Sequence, residues 1–559
     1  MSAGMSAVDT YDVIVIGAGV SGALIAWKLA ESGASVLILE AGDERDRQEM
    51  VGSFAAATVK IPSSPYVDAS GDEHAPYPRD NAGKDGGHYI QAGPADFKSG
   101  YVRLVGGSTW HFLGNTPRFV PNDFRLFSKY RVGVDWPLTY DELETWYCDA
   151  EAEMGVSADH DEWQGVLGAA RSKPFPMTSI WRAYGDSVVA ASIDGKSFDG
   201  VQVHIRSTPQ ARNSRPYQDR PPCAGNSSCV PICPIGAKYD ATVHVRKAEQ
   251  HKAKLRIRSV VRRLVADGRG MISSVEYERW NAQSTSREKL KARASIYVLA
   301  AHAIESPLIL LESKLCRSGP VGLNLMDHLQ GYGGAILTQP MYPFRGPPVT
   351  SGIDEFRDGD FRGERAAFRV SIGNDGWGRM EPLETTIHNA VFKQQFSGKA
   401  LRSEINRRAV RMLRLSYSTE MLPDPANRVV VGGYDKYDNP RPRMYFTFPD
   451  YNQRSFKFGN ALLNKFFDSM GVAQDDRKLP NVGTQFSGAG HIMGTCRMGA
   501  SATNSVVDRD GRAHDHPNLF LAGPAVFPTS GTANPTLTAA ALSLRTASKI
   551  LSELAVCQK

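Results

Sequence analysis

A glycine-rich turn near the N-terminus is the feature that most constrains the fold. The pattern Gly-x-Gly-x-x-Gly, which runs from Gly17 through Gly19 to Gly22, stands between a short apolar run and a helical pattern. In this position the first glycine permits a tight turn, the second lets the backbone approach a pyrophosphate, and the third allows close helix–strand packing. Glu40, at the end of the next apolar run, is placed to accept a hydrogen bond from a ribose hydroxyl. The segment predicts a βαβ unit that binds a dinucleotide, with FAD and NAD both open.

Signals for buried parallel strands return late in the chain. Ile296 to Ala300 and Leu519 to Ala522 are short apolar runs, and Pro535 to Leu554 has a helical pattern. Different material, with strand character and many turns, lies between the early and the late signals. We therefore expect an α/β chain whose dinucleotide-binding domain is discontinuous. The predicted division is a dinucleotide-binding domain of residues 8–135, 205–335 and 480–557 and a second domain of residues 136–204 and 336–479.

Composition and charge exclude several classes of protein. The 559 residues are 42% apolar and 22% charged, an ordinary globular mixture. The net charge is +6, without a Lys/Arg block that would indicate nucleic-acid binding. No apolar run reaches the roughly 18 residues that cross a bilayer, so we expect membrane contact only through a partner. The N-terminal segment has no basic residue, and its first apolar run is too short for a signal peptide, which predicts no export signal.

Four motifs in a fixed order carry a family resemblance. They are the turn from Gly17 that ends in Glu40 to Gly42, the segment Gly106 to His111, the segment Gly322 to His328, and the block His491 to Leu537. With them the chain resembles the glucose–methanol–choline (GMC) flavoprotein oxidoreductases. The resemblance implies a GMC-type, Rossmann-like FAD-binding domain with a β-sheet-containing substrate-binding domain. It also implies an enzyme that oxidises CH–OH groups.

The resemblance extends the predicted cofactor site. The residues expected to bind FAD are Gly17, Gly19, Gly22, Glu40, Gly106, Gly107, Ser108, Trp110, His111, Val260, Gly523 and Pro535. His111 lies near the position at which pyranose oxidases attach FAD to a histidine, although the order Thr-Trp-His differs from their Thr-His-Trp. Covalent attachment stays open, and retention of flavin on acid-precipitated protein would indicate it.

His491 and Asn534 are the predicted catalytic pair. Oxidation of an alcohol by hydride transfer needs a base for the hydroxyl proton, and an imidazole has a suitable pKa near neutrality. The resemblance implies that His491 is this base and that Asn534 holds the substrate oxygen. Proline is favoured at the first helical position, so Pro535 predicts the start of the last helix and Asn534 its N-cap. The positive end of that helix would stabilise an anionic reduced flavin.

Three cysteines, Cys223, Cys229 and Cys233, lie within eleven residues of loop-like composition. Three thiolates followed by Cys-Pro suit iron–sulfur ligation, although the spacing matches no ferredoxin run. Zinc would need a fourth ligand, for which His244 is the only near candidate. A Cys223–Cys229 disulfide is the third alternative, and spacing alone leaves all three open.

A closer resemblance bears on these cysteines. Arg212 to Tyr217 and Cys223 to Tyr239 are similar to the catalytic subunits of bacterial FAD-dependent sugar dehydrogenases, which pass electrons to a cytochrome subunit. The similarity implies a [3Fe-4S] cluster on the three cysteines in loop 221–239, where Ala224 replaces a frequent neighbouring cysteine. The sequence contains no CxxCH motif, so a c-type haem would belong to another chain.

Together these features predict an FAD-dependent dehydrogenase that oxidises a hydroxyl of a sugar, glycoside or polyol. Electrons would leave through the cluster to an external acceptor such as a cytochrome c subunit. A small chaperone-like secretion subunit would carry the chain to the periplasm by co-export, with a cytoplasmic enzyme as the alternative. Two other functions stay open: an oxygen-dependent GMC oxidase with structural cysteines, and a non-redox lyase of the same fold. The segments Thr495 to Met498 and Asn534 to Thr536 look more like other bacterial sugar or glucoside oxidoreductases, which leaves the substrate open.

Overall fold

The computed structural model describes residues 9–58, 64–66, 73–78, 88–381, 383–479 and 486–557. The strands are β1 Asp9–Ile16, β2 Val36–Leu39, β3 Ile90–Gln91, β4 Val156–Ser157, β5 Ser197–Phe198, β6 Val201–Gln202, β7 Ile205–Ser207, β8 Gln210–Ala211, β9 Lys254–Arg256, β10 Ser259–Ala266, β11 Ile272–Trp280, β12 Arg287–Leu299, β13 Leu329–Ile336, β14 Val349–Ile353, β15 Phe368–Gly373, β16 Met412–Thr419, β17 Arg428–Tyr434, β18 Pro440–Tyr445, β19 Arg477–Lys478, β20 Ser487–Gly488 and β21 Leu519–Leu521. The helices are α1 Val20–Glu31, α2 Arg47–Ala56, α3 Leu126–Tyr130, α4 Tyr140–Met154, α5 His160–Trp163, α6 Tyr184–Ile193, α7 Thr242–Gln250, α8 His302–Ser313, α9 Gly376–Arg379, α10 Leu383–His388, α11 Gly398–Arg411, α12 Asp450–Ser469 and α13 Thr536–Cys557. Within these described ranges, no helix combines the length and the apolar character needed to span a bilayer.

The first large sheet is built around β1. Its order is β10-β11-β12-β1-β2-β9, and β21 pairs with the end of β12. Strand β1 runs parallel to both neighbours, with Ile16 opposite Leu299 on one side and Leu39 on the other. The side chains of β1 from Val13 onward are buried because helices cover the sheet, as expected for a parallel strand. The predicted βαβ unit and the two predicted late strands are confirmed.

The second large sheet is antiparallel and has one apolar and one polar face. Its order is β19-β13-β16-β15-β14-β7, with β20 added beside β13. Leu415 and Tyr417 of β16 point to the apolar face, where the Tyr417 hydroxyl donates to Asn460 Oδ1 of α12 at 2.7 Å. Residues of the opposite parity face a cavity between the two sheets. This alternation follows from the two-residue period of a strand.

The pairing of the sheets differs from part of the predicted domain division. Strands β7, β13 and β20 pair within the second sheet, whereas the prediction assigned residues 205–207, 329–335 and 487–488 to the dinucleotide-binding domain. Helix α4 packs against α13 beside the first sheet, whereas residues 136–204 were assigned to the second domain. The sheet to which a short strand belongs is decided by its hydrogen-bonded partner, which is distant in the sequence. The local turn signals used for the prediction do not indicate that partner.

A buried group of charges joins the second sheet to the segment before α13. The guanidinium of Arg362, 1% exposed, lies 2.8 Å from Asp123 Oδ1 and 2.6 Å from Glu420 Oε2. The other oxygen of Asp123 accepts a hydrogen bond from Thr532 Oγ1 at 2.9 Å. Through this chain of contacts, one arginine holds the end of β16 against the loop that leads to Asn534.

The Arg362→Met variant should lower the free energy of unfolding by about 3–5 kcal/mol, because it leaves two buried carboxylates without their cation. Chemical denaturation of the FAD-loaded protein measures the change. The matched control is Arg263→Met, which removes an ion pair with Glu276 whose side chains are 55% and 35% exposed. That control should change the free energy by less than about 1 kcal/mol. Equal effects of the two variants would contradict the proposed role of Arg362.

Candidate active site

One cavity of about 780 Å³ extends from the glycine turn to the polar face of the second sheet. Its first end lies at the carboxyl ends of β1, β2 and β12, where ligands bind in open α/β sheets. Eleven of the residues predicted to bind the cofactor or to take part in catalysis line this cavity: Gly17, Gly19, Glu40, Gly107, Ser108, His111, Val260, His491, Gly523, Asn534 and Pro535. The cofactor-binding and catalytic residues predicted from separate motifs therefore share one space.

Each glycine of the turn is required for a different structural reason. A Cβ atom on Gly17 would lie 2.5 Å from the carbonyl oxygen of Ala300, and one on Gly22 would lie 1.9 Å from that of Gly17. A Cβ on Gly19 would meet no protein atom within 4 Å. The first and third glycines are therefore required by the packing of the protein itself. The second faces the cavity, where it keeps space open for a ligand.

The start of α1 suits an anionic ligand. Gly19 precedes the helix and has no side chain to cap it, and the first turn contains no acidic residue. The free amides and the positive end of the helix dipole are therefore available to a phosphate. Ser21 lines the same part of the cavity, and within the described part of the chain its buried hydroxyl has no hydrogen-bond partner. These groups fit the pyrophosphate of a dinucleotide.

Glu40 is held at the end of β2 by the backbone. Its carboxylate accepts hydrogen bonds from the amides of Ala18 at 2.8 Å and Gly42 at 2.9 Å. Burial raises the pKa of Glu40, and the two amide bonds act in the opposite direction. The carboxylate is thereby fixed beside the glycine turn, a position that fits the predicted contact with a ribose hydroxyl.

Three predicted cofactor-binding residues support the cavity from behind. Gly22, Gly106 and Trp110 do not line it. The indole N–H of Trp110 donates to the carbonyl of Val105 at 2.8 Å, and a Cβ on Gly106 would lie 2.8 Å from the indole nitrogen. The buried indole fixes the turn that presents Gly107 to the cavity, and the binding of FAD by these three residues stays a prediction.

His111 lines the cavity on the same side. Its imidazole has a pKa lowered to about 4, first by burial and then by the nearby Lys238 ammonium. The Lys238 side chain is itself buried and donates to the carbonyls of Trp110 at 2.8 Å and Phe112 at 2.7 Å. His111 is therefore a neutral group at pH 7, and its covalent attachment to FAD stays a prediction.

His491 lies between two polar side chains. Its Nε2 is 3.2 Å from Asn534 Nδ2, and its Nδ1 is 2.8 Å from His328 Nδ1. The other nitrogen of His328 is 2.9 Å from the carbonyl oxygen of Gly531. The backbone amide of His491 donates to Asp327 Oδ1 at 2.8 Å, which holds the loop in place.

This chain of hydrogen bonds assigns the proton on each ring. A carbonyl oxygen only accepts, so His328 Nε2 carries a proton and donates to Gly531. His328 Nδ1 then accepts from the N–H at Nδ1 of His491. His491 Nε2 is left with a lone pair that faces the amide of Asn534. Burial, and then the neighbouring His328, hold the pKa of His491 well below 6.5, so the ring is neutral at pH 7.

The last helix begins one residue later than predicted. Pro535 is the loop residue directly before α13. Its carbonyl oxygen accepts the first helical hydrogen bond, from the amide of Ala539 at 2.9 Å. Pro535 thus takes the capping position, and the amide side chain of Asn534 is directed to His491. The predicted capping role of Asn534 is therefore wrong, because Pro535 occupies the capping position, while Asn534 Nδ2 faces His491 Nε2.

The three clustered cysteines are free thiols, with Cys229 and Cys233 buried and Cys223 partly buried. The amide of Gly225 donates to Cys223 Sγ at 3.4 Å, and that of Lys238 donates to Cys233 Sγ at 3.5 Å. Amide bonds to sulfur are among the contacts that tune iron–sulfur clusters, so the chemistry of these thiols and amides suits such a group. The disulfide alternative is not observed in this structure.

The zinc alternative lacks its fourth ligand. His244 Nδ1 lies 2.8 Å from the Tyr239 hydroxyl, and its Nε2 lies 3.2 Å from Glu153 Oε2. Both ring nitrogens are therefore engaged away from the cysteines. Over the described ranges, no three His, Cys, Asp or Glu side chains, these cysteines included, are arranged to hold a metal ion.

Comparison with known proteins identifies the family. Models of the GMC oxidoreductase family match residues 200–330 and 423–543, and a model of the NAD(P)-binding Rossmann-like domain matches residues 15–44. The chain is 37% identical over 557 residues to the fructose dehydrogenase large subunit of Gluconobacter japonicus, covering 97% of this chain and 98% of that protein. The chain belongs to the GMC oxidoreductase family. This GMC oxidoreductase is thus an FAD-dependent enzyme, as the motifs predicted.

Two further proteins are similar over the whole chain. The 6'''-hydroxyparomomycin C oxidase of Streptomyces lividus is 28% identical and covers 98% of this chain and 92% of its own length. The crystal structure of pyridoxine 4-oxidase from Mesorbium loti has a TM-score of 0.60 at 19% identity, covering 96% of this chain and 98% of its own. The latter likeness supports the fold alone.

Sequence reasoning missed several residues of the GMC oxidoreductase site. The motif ending in Asp327 and His328 supported the resemblance, but it was given no role beside His491. The polar residues of the second sheet were also missed, although Ser416 and Ser418 alternate with apolar residues along β16. That alternation was the available signal, and it indicates a strand with one solvated face.

The Gly19→Ala variant should weaken FAD binding at least about tenfold, since an added methyl group displaces a phosphate from hydrogen bonds to amides. The melting temperature of the cofactor-free protein should stay unchanged, because the methyl group meets no protein atom. Equilibrium dialysis and thermal denaturation measure the two effects. Gly52→Ala, a helical glycine whose added methyl group also meets nothing, is the control that should leave FAD affinity unchanged. Wild-type affinity in Gly19→Ala would refute the assignment of the turn.

The His328→Leu variant should slow flavin reduction by substrate at least about tenfold, within the range that a general base contributes. Without an acceptor at Nδ1, the proton of His491 is free to move to Nε2, which removes the lone pair. Stopped-flow absorbance of the flavin measures the rate. In His328→Asn the amide oxygen takes the place of the ring Nδ1 and should restore part of it. Equal rates in the leucine and asparagine variants would argue that the role of His328 is only structural.

Proposed function

We propose that this GMC oxidoreductase is a dehydrogenase that oxidises a hydroxyl group of a sugar, glycoside or polyol and passes the electrons to an external acceptor. The observation that carries this proposal is the pair formed by His491 and Asn534, which faces the polar side of a β-sheet across one cavity. Such a reaction requires a base, a hydrogen-bond donor and a surface that binds hydroxyl groups. All three then lie in one cavity.

His491 Nε2 accepts the substrate hydroxyl proton in this mechanism. The hydroxyl group replaces the direct contact between His491 and Asn534, donating to Nε2 and accepting from the amide N–H of Asn534. Loss of the proton raises the electron density on oxygen and drives the departure of hydride from carbon. FAD, when bound, supplies the hydride acceptor. Before the transfer, His328 keeps the proton of His491 on Nδ1, so the lone pair of Nε2 is directed at the substrate.

The environment of His491 favours this step. The neutral ring persists below pH 6.5 because its surroundings disfavour a charge, so the base is available at physiological pH. Asp327 holds the backbone of His491, and its own pKa is raised to about 6 by burial. The similarity to a fructose dehydrogenase large subunit and to an oxidase of an aminoglycoside supports a carbohydrate-like substrate.

The cysteine loop is the proposed exit for electrons. A [3Fe-4S] cluster held by Cys223, Cys229 and Cys233 would carry them one at a time to the acceptor. Lys238 supports this assignment, because its amide contacts Cys233 while its ammonium group binds the cavity wall at Phe112. One residue thus spans the distance between the thiols and the wall of the cavity.

The proposed partners follow from the electron exit. We propose a cytochrome c subunit as the acceptor and a small chaperone-like subunit for secretion, because the relative from Gluconobacter japonicus is described as a large subunit. Location in the periplasm, by co-export with a signal-bearing partner, is part of the same proposal, and a cytoplasmic enzyme is the alternative. Contact with a membrane would then occur through the partner.

Anaerobic reduction of the isolated protein by sugars tests the proposal. Addition of a substrate sugar should bleach the flavin, and a low-temperature EPR signal of the oxidised three-iron cluster should disappear in the same sample. Iron and acid-labile sulfide should amount to about three irons per flavin, the content of the cluster. The His491→Ala variant is the control, since it should keep FAD, iron and the EPR signal but lose the bleaching.

Each component of the proposal has its own contrary result. An iron-free, EPR-silent protein that forms peroxide stoichiometrically with product would favour the oxygen-dependent oxidase. Failure of every alcohol to bleach the flavin would favour the lyase. Fast reduction of His491→Ala by substrate would overturn the assignment of the base.

A further inference from the structure

The polar face of the second sheet is longer than the reacting end of the substrate requires. Three neighbouring strands, β13, β16 and β15, contribute side chains of one parity to the cavity. Their register gives three rows: Gln330, Ser418 and Arg369 in the first, Tyr332, Ser416 and Ser371 in the second, and Gly334, Arg414 and Gly373 in the third. The cavity reaches all three rows.

The first row lies beside the catalytic pair. Strand β13 begins directly after His328, whose ring is 2.8 Å from that of His491. Gln330 pairs with Ser487 of β20, four residues before His491. The Gln330 amide donates to Ser418 Oγ at 3.1 Å, so this row offers an amide and a hydroxyl group next to the reacting centre.

The third row is far from that centre. Successive rows are two residues apart, or about 7 Å, so the third row lies about 14 Å along the sheet from the first. A single sugar ring whose hydroxyl contacts His491 spans the first two rows and ends short of Arg414. Only a substrate with a second unit reaches the third row.

The side chain of Arg414 lies in a space left open by its neighbours in the sheet. Its two neighbours in the row are glycines, and a Cβ on Gly373 would lie 2.9 Å from Arg414 Nε and from Asp375 Oδ1. Arg414 Nε donates to Asp375 Oδ1 at 2.8 Å. Arg379, whose side chain is 47% exposed, lies 3.5 Å from the other oxygen of Asp375 and marks the mouth of the cavity. The pair offers a rigid donor and a rigid acceptor side by side.

We propose that Arg414 and Asp375 form a second subsite that binds the sugar unit or aglycone remote from the oxidised hydroxyl, so that the substrate is a glycoside or disaccharide. This inference rests on the proposed function and narrows its substrate class. Neighbouring hydroxyl groups of a pyranose ring match such a pair, because one accepts from the guanidinium while the other donates to the carboxylate.

Substrate size and the Arg414→Met variant test this inference in the FAD-loaded protein. D-Glucose and D-fructose are the single-unit probes, and maltose, cellobiose and sucrose are the two-unit probes, with anaerobic flavin bleaching as the readout. In the wild type the best disaccharide should show a KM at least about tenfold below that of the best monosaccharide, the effect of one hydrogen bond to a charged group. Arg414→Met should raise the KM for disaccharides at least tenfold more than that for monosaccharides, with kcat for disaccharides largely kept.

Two controls keep the result interpretable. Arg411→Met removes a partly buried arginine that lies three residues earlier and outside the cavity, and it should leave the ratio of KM values unchanged. Arg414→Lys keeps the charge but loses the planar donor, and it should fall between wild type and Arg414→Met. The wild-type comparison does not depend on the folding of any variant.

The possible failures are distinct. Monosaccharides that reduce the flavin with a KM equal to or below that of every disaccharide would overturn the second subsite and leave the sugar dehydrogenase intact. An equal effect of Arg414→Met on both classes would overturn it as well. If no sugar of either size bleaches the flavin, the proposed function fails, and the second subsite fails with it.

Discussion

The parallel pairing of β1 with β12 is the constraint on which the rest of the active site depends. It joins Ile16 to Leu299, residues that lie 283 positions apart, and it puts β21 at the other side of β12. The carboxyl ends of all three strands then meet at one edge of the sheet. Because Ala300 follows β12, its carbonyl oxygen packs against Gly17, and this contact excludes a side chain at that position of the turn. The cofactor end of the cavity is a direct consequence.

The catalytic end depends on a second constraint, the hydrogen-bond chain from Gly531 through His328 to His491. A backbone carbonyl, which has only one possible role, determines the protonation of two rings in sequence. The buried ion pairs of Arg362 hold the loop that carries this carbonyl, through Asp123 and Thr532. The chemistry of His491 is therefore connected to the packing between the two sheets, although the residues involved come from five separate parts of the chain.

Much of the site could be predicted from the sequence, because several of its residues are determined by their immediate neighbours in the chain. A turn that needs backbone space selects glycine, and an acid at the end of the next strand meets it whatever the rest of the chain does. Trp110 shows the limit of such rules. The motif marked it as important, but only the fold shows that its N–H is directed to Val105 and away from the cavity. Asn534 shows the same limit, because its amide serves His491 and the helix begins after Pro535.

By itself, the sequence determined the βαβ unit, the dinucleotide turn, the pair His491 and Asn534, and the family. These features depend on neighbours within a few residues or on motifs with a fixed order. The tertiary structure alone decided which sheet receives β7, β13 and β20, which ring nitrogen of His491 is free, and how far the polar face extends to Arg414. The physical reason is that these properties arise from register and hydrogen bonding between strands distant in the chain, where a shift of one residue would exchange the polar face for the apolar one.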